Sequence, residues 1–381
     1  MADKQTDKYL PKLRFPEFKD EGEWKIMKVK DVCSIETGKS NTQDQVNDGK
    51  YPFFIRSENP VRSDKYLYDC EAVITIGDGK IGQVYHYING KFDLHQRCYK
   101  MSDFKGVDGK YFYYYFSSHF YERAMRMSAK ATVDSVRLEM IADMPIAVPC
   151  IKEQRAIASL FSSLDECITA SKEKMEQLKA HKKGLMQKLF PAPGKTLLEY
   201  RFPEFKDEGE WKIMKVKDVC SIETGKSNTQ DQVNDGKYPF FIRSENPVRS
   251  DKYLYDCEAV ITIGDGKIGQ VYHYINGKFD LHQRCYKMSD FKGVDGKYFY
   301  YYFSSHFYER AMRMSAKATV DSVRLEMIAD MPIAVPCIKE QRAIASLFSS
   351  LDECITASKE KLDQLKAYKR GLMQQMFPLL Y

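Results

Sequence analysis

The sequence predicts an α+β protein built of two repeated α/β domains, separated by two long helices that pair antiparallel as a coiled coil across a pseudo-twofold axis. Three observations predict it. Arg14 to Lys174 recurs without substitution as Arg201 to Lys361, 187 positions on. Short β-branched and aromatic runs, cut by turn dipeptides, fill the first part of each repeat. Each repeat then ends in a long stretch whose apolar residues alternate spacings of three and four.

The similarity continues with small changes to Pro191 and Pro378: Met175 becomes Leu362, Glu176 becomes Asp363, His181 becomes Tyr368 and Lys183 becomes Arg370. Cores tolerate many substitutions that keep volume and pattern, so stability does not require such identity. A recent duplication, a recombination product or an engineered doubling would each produce it. The period is far too long for a solenoid, and each copy is large enough for its own core. The chain divides into an N-terminal segment (1–13), a domain (14–150), a helix (151–190), a linker (191–200), a second domain (201–337) and a second helix (338–378).

Within one copy, residues from Trp24 to about Ile88 read as strands, clearest at Val73 to Ile76 and Val84 to Ile88. Asp48, Asp78, Asn89 and Asp108 are each followed by Gly-Lys, which predicts hairpin turns. From Lys110 to Met127 the period changes: Phe112, Tyr115, Phe116, His119, Phe120 and Ala124 recur at helical spacing. Met144 to Pro149 returns to an apolar strand.

A helix is expected from Lys152 to Leu189, stopped by Pro191, Pro193 and Gly194. Its seam is Phe161, Leu164, Ile168, Met175, Leu178, Leu185 and Leu189, interrupted at Ser171 and Lys182. The second seam is Phe348, Leu351, Ile355, Leu362, Leu365, Leu372 and Met376, interrupted at Ser358 and Lys369. Such a helix is about 57 Å long, whereas the short linker from Pro191 to Arg201 reaches at most about 38 Å. The first helix therefore ends near the second domain, and the second runs back antiparallel. The alternative is two independent beads, each packing its own helix.

The formal charge of +6 over 381 residues permits nucleic-acid binding without demanding it. The ten cysteines form no C-x-x-C pair, so neither zinc nor a disulfide framework is expected, and cytoplasmic reduced thiols are. No run of about 18 apolar residues suits a membrane span. Met1 to Leu13 is polar and lacks a signal-peptide core.

Several motifs imitate chemistry. Gly77 to Gly82 matches G-x-G-x-x-G, but a strand pattern follows where a phosphate-binding helix should open. Three Asp-Gly-Lys runs mimic half of a nuclease metal site, yet the chain contains no Pro-Asp pair to complete one. No Pro-Pro pair precedes an aromatic residue, as an adenine methyltransferase would need, and the histidines lack acidic neighbours at useful spacing. Neither catalytic nor metal-binding residues are expected.

Leu13 to Phe18 (LRFPEF) followed by Trp24 resembles the opening of a specificity subunit of a type I restriction–modification system. Met144 to Pro149, then Glu153 to Ala158, then Leu164-Asp165, resembles that family's junction between a target recognition domain and its helix. Lys182 to Pro191 resembles the end of that helix, and all three recur from Arg201, Met331 and Lys369. The resemblance implies two target recognition domains that bind double-stranded DNA and a helical spacer on which two modification subunits dock. It also implies that S-adenosylmethionine, ATP and Mg²⁺ belong to the modification and restriction subunits, with no cofactor on this chain. Family members usually carry two different recognition domains, whereas these are identical.

Base readers need donors on loops: Arg or Lys for guanine, Asn or Gln for adenine. The candidates are Lys39, Ser40, Asn41, Arg56, Asn59, Arg62, Lys80, Gln83, Arg97, Lys130 and Arg137. Their counterparts are Lys226, Ser227, Asn228, Arg243, Asn246, Arg249, Lys267, Gln270, Arg284, Lys317 and Arg324. Identical readers on a twofold axis imply a bipartite, palindromic target. The competing reading is a stand-alone DNA-binding scaffold or regulator that dimerises through its helices.

Overall fold

A computed structural model describes residues 10–127, 135–192, 195–196, 198–314 and 322–380. The first repeat contains β1 (Lys25–Lys28), α1 (Val29–Val32), β2 (Ser34–Thr37), β3 (Tyr51–Phe54), β4 (Val61–Ser63), β5 (Tyr68–Ile76), β6 (Tyr85–Leu94) and β7 (Cys98–Ser102). Then come α2 (Gly109–Met127), α3 (Leu138–Ala142), β8 (Pro145–Val148) and the long α4 (Ile151–Leu189). The second repeat runs through β9 (Lys212–Lys215), α5 (Val216–Val219), β10 (Ser221–Thr224), β11 (Tyr238–Phe241), β12 (Val248–Ser250), β13 (Tyr255–Ile263), β14 (Tyr272–Leu281) and β15 (Cys285–Ser289). It ends in α6 (Gly296–Met314), α7 (Leu325–Ala329), β16 (Pro332–Val335) and α8 (Ile338–Met376).

In each repeat a six-stranded sheet has the order β2-β7-β5-β6-β3-β4 or its equivalent. Its neighbours are antiparallel except β3 and β6, which pair parallel through Phe53–Asp93 and Phe54–Leu94. Alternation along β5 separates two cores. Ala72, Ile74 and Ile76 face Phe54, Phe92 and Leu94 on one side. Val73 faces the other way, into the large cluster built on α2. The expected aromatic face of α2 is all buried, joined by Tyr111 and Tyr114. β1 and β8 form a separate antiparallel pair, Lys25 opposite Val148.

Two of the expected hairpin turns are not turns. Asn89-Gly90 lies inside β6, paired with Glu71 and Cys70 across the ladder. Gly90 has φ +139, a conformation that favours glycine, and the ladder continues through it. Asp108-Gly109 instead opens α2, where the Asp108 carboxylate accepts the backbone N–H of Lys110 (3.1 Å) and Tyr111 (3.0 Å) as a helix cap. A Cβ on Gly109 would meet the Glu71 carboxylate, so a larger residue there would have to displace that side chain. The Asp78 turn does join β5 to β6, and the glycine-rich run there leads into a strand.

The motifs behind the family resemblance meet in space. Arg14 donates from Nε and Nη2 to both oxygens of the buried Glu153, at 2.8 and 2.7 Å. Gln154 accepts from the Asp108 N–H and donates to the Gly106 and Pro149 carbonyls. Trp24 packs edge-on against Tyr111. The opening segment, the α2 cap and the start of α4 are thus bolted together, and Arg201 with Glu340 repeats the arrangement.

The chain gathers into two compact units, Met1–Lys172 with Glu360–Tyr381, and Glu173–Lys359. In the first, Met376 and Phe377 from the end of α8 enter the core, the Phe377 ring lying 5.8 Å from Tyr111, 5.4 Å from Tyr115 and 5.6 Å from Phe161. Asp165 pairs with Lys369, so the helices run antiparallel there. In the second unit, Leu189 and Phe190 fill the matching place against Tyr298, Tyr302 and Phe348, and Lys182 pairs with Asp352 at 2.6 Å. Each domain is therefore closed by the other repeat's helix, which excludes the two-bead alternative. Every expected seam residue is buried or half-buried. All ten cysteines are free thiols. Among the described residues, no helix is long and apolar enough to cross a membrane.

Candidate nucleic-acid interface

Five stretches of the first repeat converge on one rim of the six-stranded sheet. The exit of β2 bridges to the β6–β7 connection, where the Gln96 N–H donates to the Ser40 carbonyl at 2.9 Å. His95 N–H donates to Phe54, tying in the start of the β3–β4 connection. Gly77 N–H donates to Arg97, and Val136 N–H donates to Gly77, each at 2.7 Å. A cleft of about 700 Å³ opens here, lined by Thr42, Ile55 to Asn59 and Asp78 to Lys80.

A buried polar foundation fixes the rim. Asp93 is fully buried and accepts from Ser40 Oγ (2.7 Å), Ser63 Oγ (3.2 Å) and the Leu94 N–H (2.9 Å). His95 accepts the Arg97 N–H on Nδ1, so it is neutral there. Burial and the neighbouring Arg56 lower its pKa, consistent with that state.

On this foundation the charges are paired. Arg56 and Arg97 donate from their Nη1 atoms to the two oxygens of Asp78, at 3.1 and 2.7 Å. Burial pushes the Asp78 carboxyl up, but the two guanidiniums outweigh it and hold it below the usual carboxylate range. Lys80 pairs with Glu58 at 2.8 Å. In the second repeat Arg243 and Arg284 meet Asp265 at 3.2 and 2.8 Å, and Lys267 meets Glu245 at 2.7 Å.

The other candidates divide. Lys39, Asn59 and Gln83 are exposed, Lys39 and Asn59 within the loops of this rim, as are Lys226, Asn246 and Gln270 in the second repeat. Asn41 and Asn228 are half-buried at the start of a short 3₁₀ turn. Arg62 spends Nε and Nη2 on the Gly49 and Lys50 carbonyls, and Arg249 does the same, so these side chains brace a turn. Arg137 and Arg324 are exposed beside Glu139 and Glu326. Ser40 and Ser227 are corrections: each is buried, with its hydroxyl committed to Asp93 or Asp280, and presents nothing to a ligand. Lys130 and Lys317 lie outside the described residues.

Sequence reading passed over Asp78, taking it only as a turn residue. No local signal could have found its role, because its partners stand 22 and 19 positions away. Among the described residues no group of three His, Cys, Asp or Glu side chains could hold a metal ion.

The family model for the type I restriction modification DNA specificity domain matches twice, over residues 21–180 and 208–367. The chain belongs to this family. It is similar to the type I restriction enzyme EcoDI specificity subunit of Escherichia coli, 22% identical over 87% of this chain and 82% of that one. It is equally similar to the MjaVIII specificity subunit of Methanocaldococcus jannaschii, 22% identical over 95% of this chain and 92% of the other. The fold matches the crystal structure of the type I system S subunit from M. genitalium with a TM-score of 0.72 and 17% identity, covering 98% of this chain and 100% of that one. The chain is a DNA sequence-specificity subunit with two recognition domains, and the charged rim is its candidate contact with DNA.

Proposed function

We propose that this chain selects the DNA target of a type I restriction–modification complex, reading a bipartite inverted repeat with its two identical domains and performing no chemistry itself. The observation that carries this reading is the repetition of one loop cluster, down to the two arginines on a single aspartate, in both repeats. Identical readers on antiparallel helices address the two strands alike. A helix of 39 residues spans about 58 Å, or roughly 17 base pairs at 3.4 Å each, enough for two short half-sites and an unread gap. Two modification subunits dock on the spacer helices and methylate adenine with S-adenosylmethionine; restriction subunits add ATP- and Mg²⁺-dependent cleavage. The complex works in the cytoplasm.

The test is modified-base sequencing of DNA from cells expressing this chain with its cognate modification subunit. An inverted repeat of one half-site is expected. A direct repeat or two unrelated half-sites would overturn the twofold reading. A chain that never co-purifies with a methyltransferase would instead favour the stand-alone scaffold.

A further inference from the structure

Acidic side chains repel DNA, yet Asp78 sits on the two arginines best placed to meet it. Its carboxylate is only 15% exposed, whereas the Arg56 and Arg97 side chains are 48% and 62% exposed. Both guanidiniums bond to it through Nη1 alone. The Nε–Nη2 edge of each thus remains for a second partner, and that planar fork suits bidentate contact with guanine O6 and N7. Because both guanidiniums reach solvent, their attraction to Asp78 is partly screened, and the cluster leaves each arginine anchored at one end with its outer edge accessible. The backbone is held independently, by the bonds Gly77 makes with Arg97 and Val136. Removing the carboxylate would therefore release the arginines while leaving the loops in place.

We propose that Asp78, and Asp265 in the second repeat, are positioning residues for sequence specificity. Each carboxylate orients two arginines so that their free edges meet the base pairs in one geometry. Orienting a side chain before binding removes an ordering cost from the correct complex and denies the arginines looser arrangements on wrong sequences. The same negative charge weakens attraction to phosphates in general. This inference rests on the reading that the charged rim faces DNA.

The experiment uses the full chain assembled with its modification subunits. Binding is measured over a range of salt to three duplexes: the methylated motif, the motif with one half-site scrambled, and the motif with both scrambled. In the Asp78→Asn/Asp265→Asn protein, binding to the fully scrambled duplex should rise. The ratio of motif to scrambled affinity should fall about tenfold or more, the loss expected from a misaligned base contact. Asp78→Glu/Asp265→Glu should recover part of the ratio. Asp265→Asn alone should tolerate one scrambled half-site but not two, a pattern that general misfolding cannot produce. An unchanged ratio in the double Asn variant overturns the proposal. If Arg56→Ala/Arg97→Ala/Arg243→Ala/Arg284→Ala binds all three duplexes like the parent, the rim does not face DNA and the underlying reading falls with it.

Discussion

Arg14 and Glu153 illustrate how a weak sequence motif becomes a structural necessity. Glu153 is fully buried and Arg14 nearly so, and the bond between them is bidentate. Removing one partner strands the other charge away from water, which costs about 3–5 kcal/mol. Glu153→Ala is expected to destabilise the first repeat by that amount, and Glu340→Ala the second, read as a fall in the denaturation midpoint. The thiols give a second test. Burial pushes Cys33, Cys98, Cys220 and Cys285 up to about 12, so little thiolate forms at pH 8. Cys150, Cys167 and Cys354 are exposed. Iodoacetamide at pH 8 should label these three first and leave the four buried thiols intact until unfolding. The unfolded chain ionises those four near 9, so the stability they support should fall as pH rises from about 9 to 12.

At the scale of elements, the long helices carry the domain cores in trans. Phe377 at the end of α8 is buried among three aromatic rings of the first repeat, and Phe190 takes the same place in the second. The seam lysines, which interrupt the apolar pattern, reach acids across the pair: Lys182 to Asp352 and Lys369 to Asp165. Polar seam positions of this kind fix register at some cost in stability. Leu178 and Leu365 are half-buried members of the seam. Leu178→Asp combined with Leu365→Asp buries charges without partners, so folding or assembly should fail. An unchanged melting temperature with intact complexes would mean that helix pairing is not needed.

For the whole molecule, a net charge of +6 with Arg56, Lys80 and Arg97 of the rim already paired to acids points to modest affinity for arbitrary DNA. The isolated chain is expected to bind duplex DNA weakly to moderately, with affinity falling as salt rises, and to show no methyl transfer. Methylation by the verified-pure chain would contradict the proposed division of labour. Within the complex, Arg56→Ala and Arg243→Ala should weaken opposite half-sites equally, by about 1–3 kcal/mol each, as measured on duplexes altered in one half-site. Unequal effects would break the equivalence of the two domains.

The sequence by itself determined the repeat, both long helices with their seams, the buried face of α2 and the hairpin character of the Gly77 loop. These depend on periods of 3.6 and 2 along the chain, which local residues encode without knowing their distant partners. The short linker even decided which helix closes which domain, because chain length limits reach. Tertiary structure alone decided the rest. Asn89-Gly90 is drawn into a strand because β5 offers it a continuous ladder, and Asp108 caps a helix because the packing of α2 begins one residue later. Ser40 reads as an exposed loop donor until the buried Asp93, far along the chain, claims its hydroxyl. Arg56, Asp78 and Arg97 read as two candidate readers and a turn residue until the fold brings their loops together. Charge clusters arise from proximity in space, and no pattern of neighbouring residues records that.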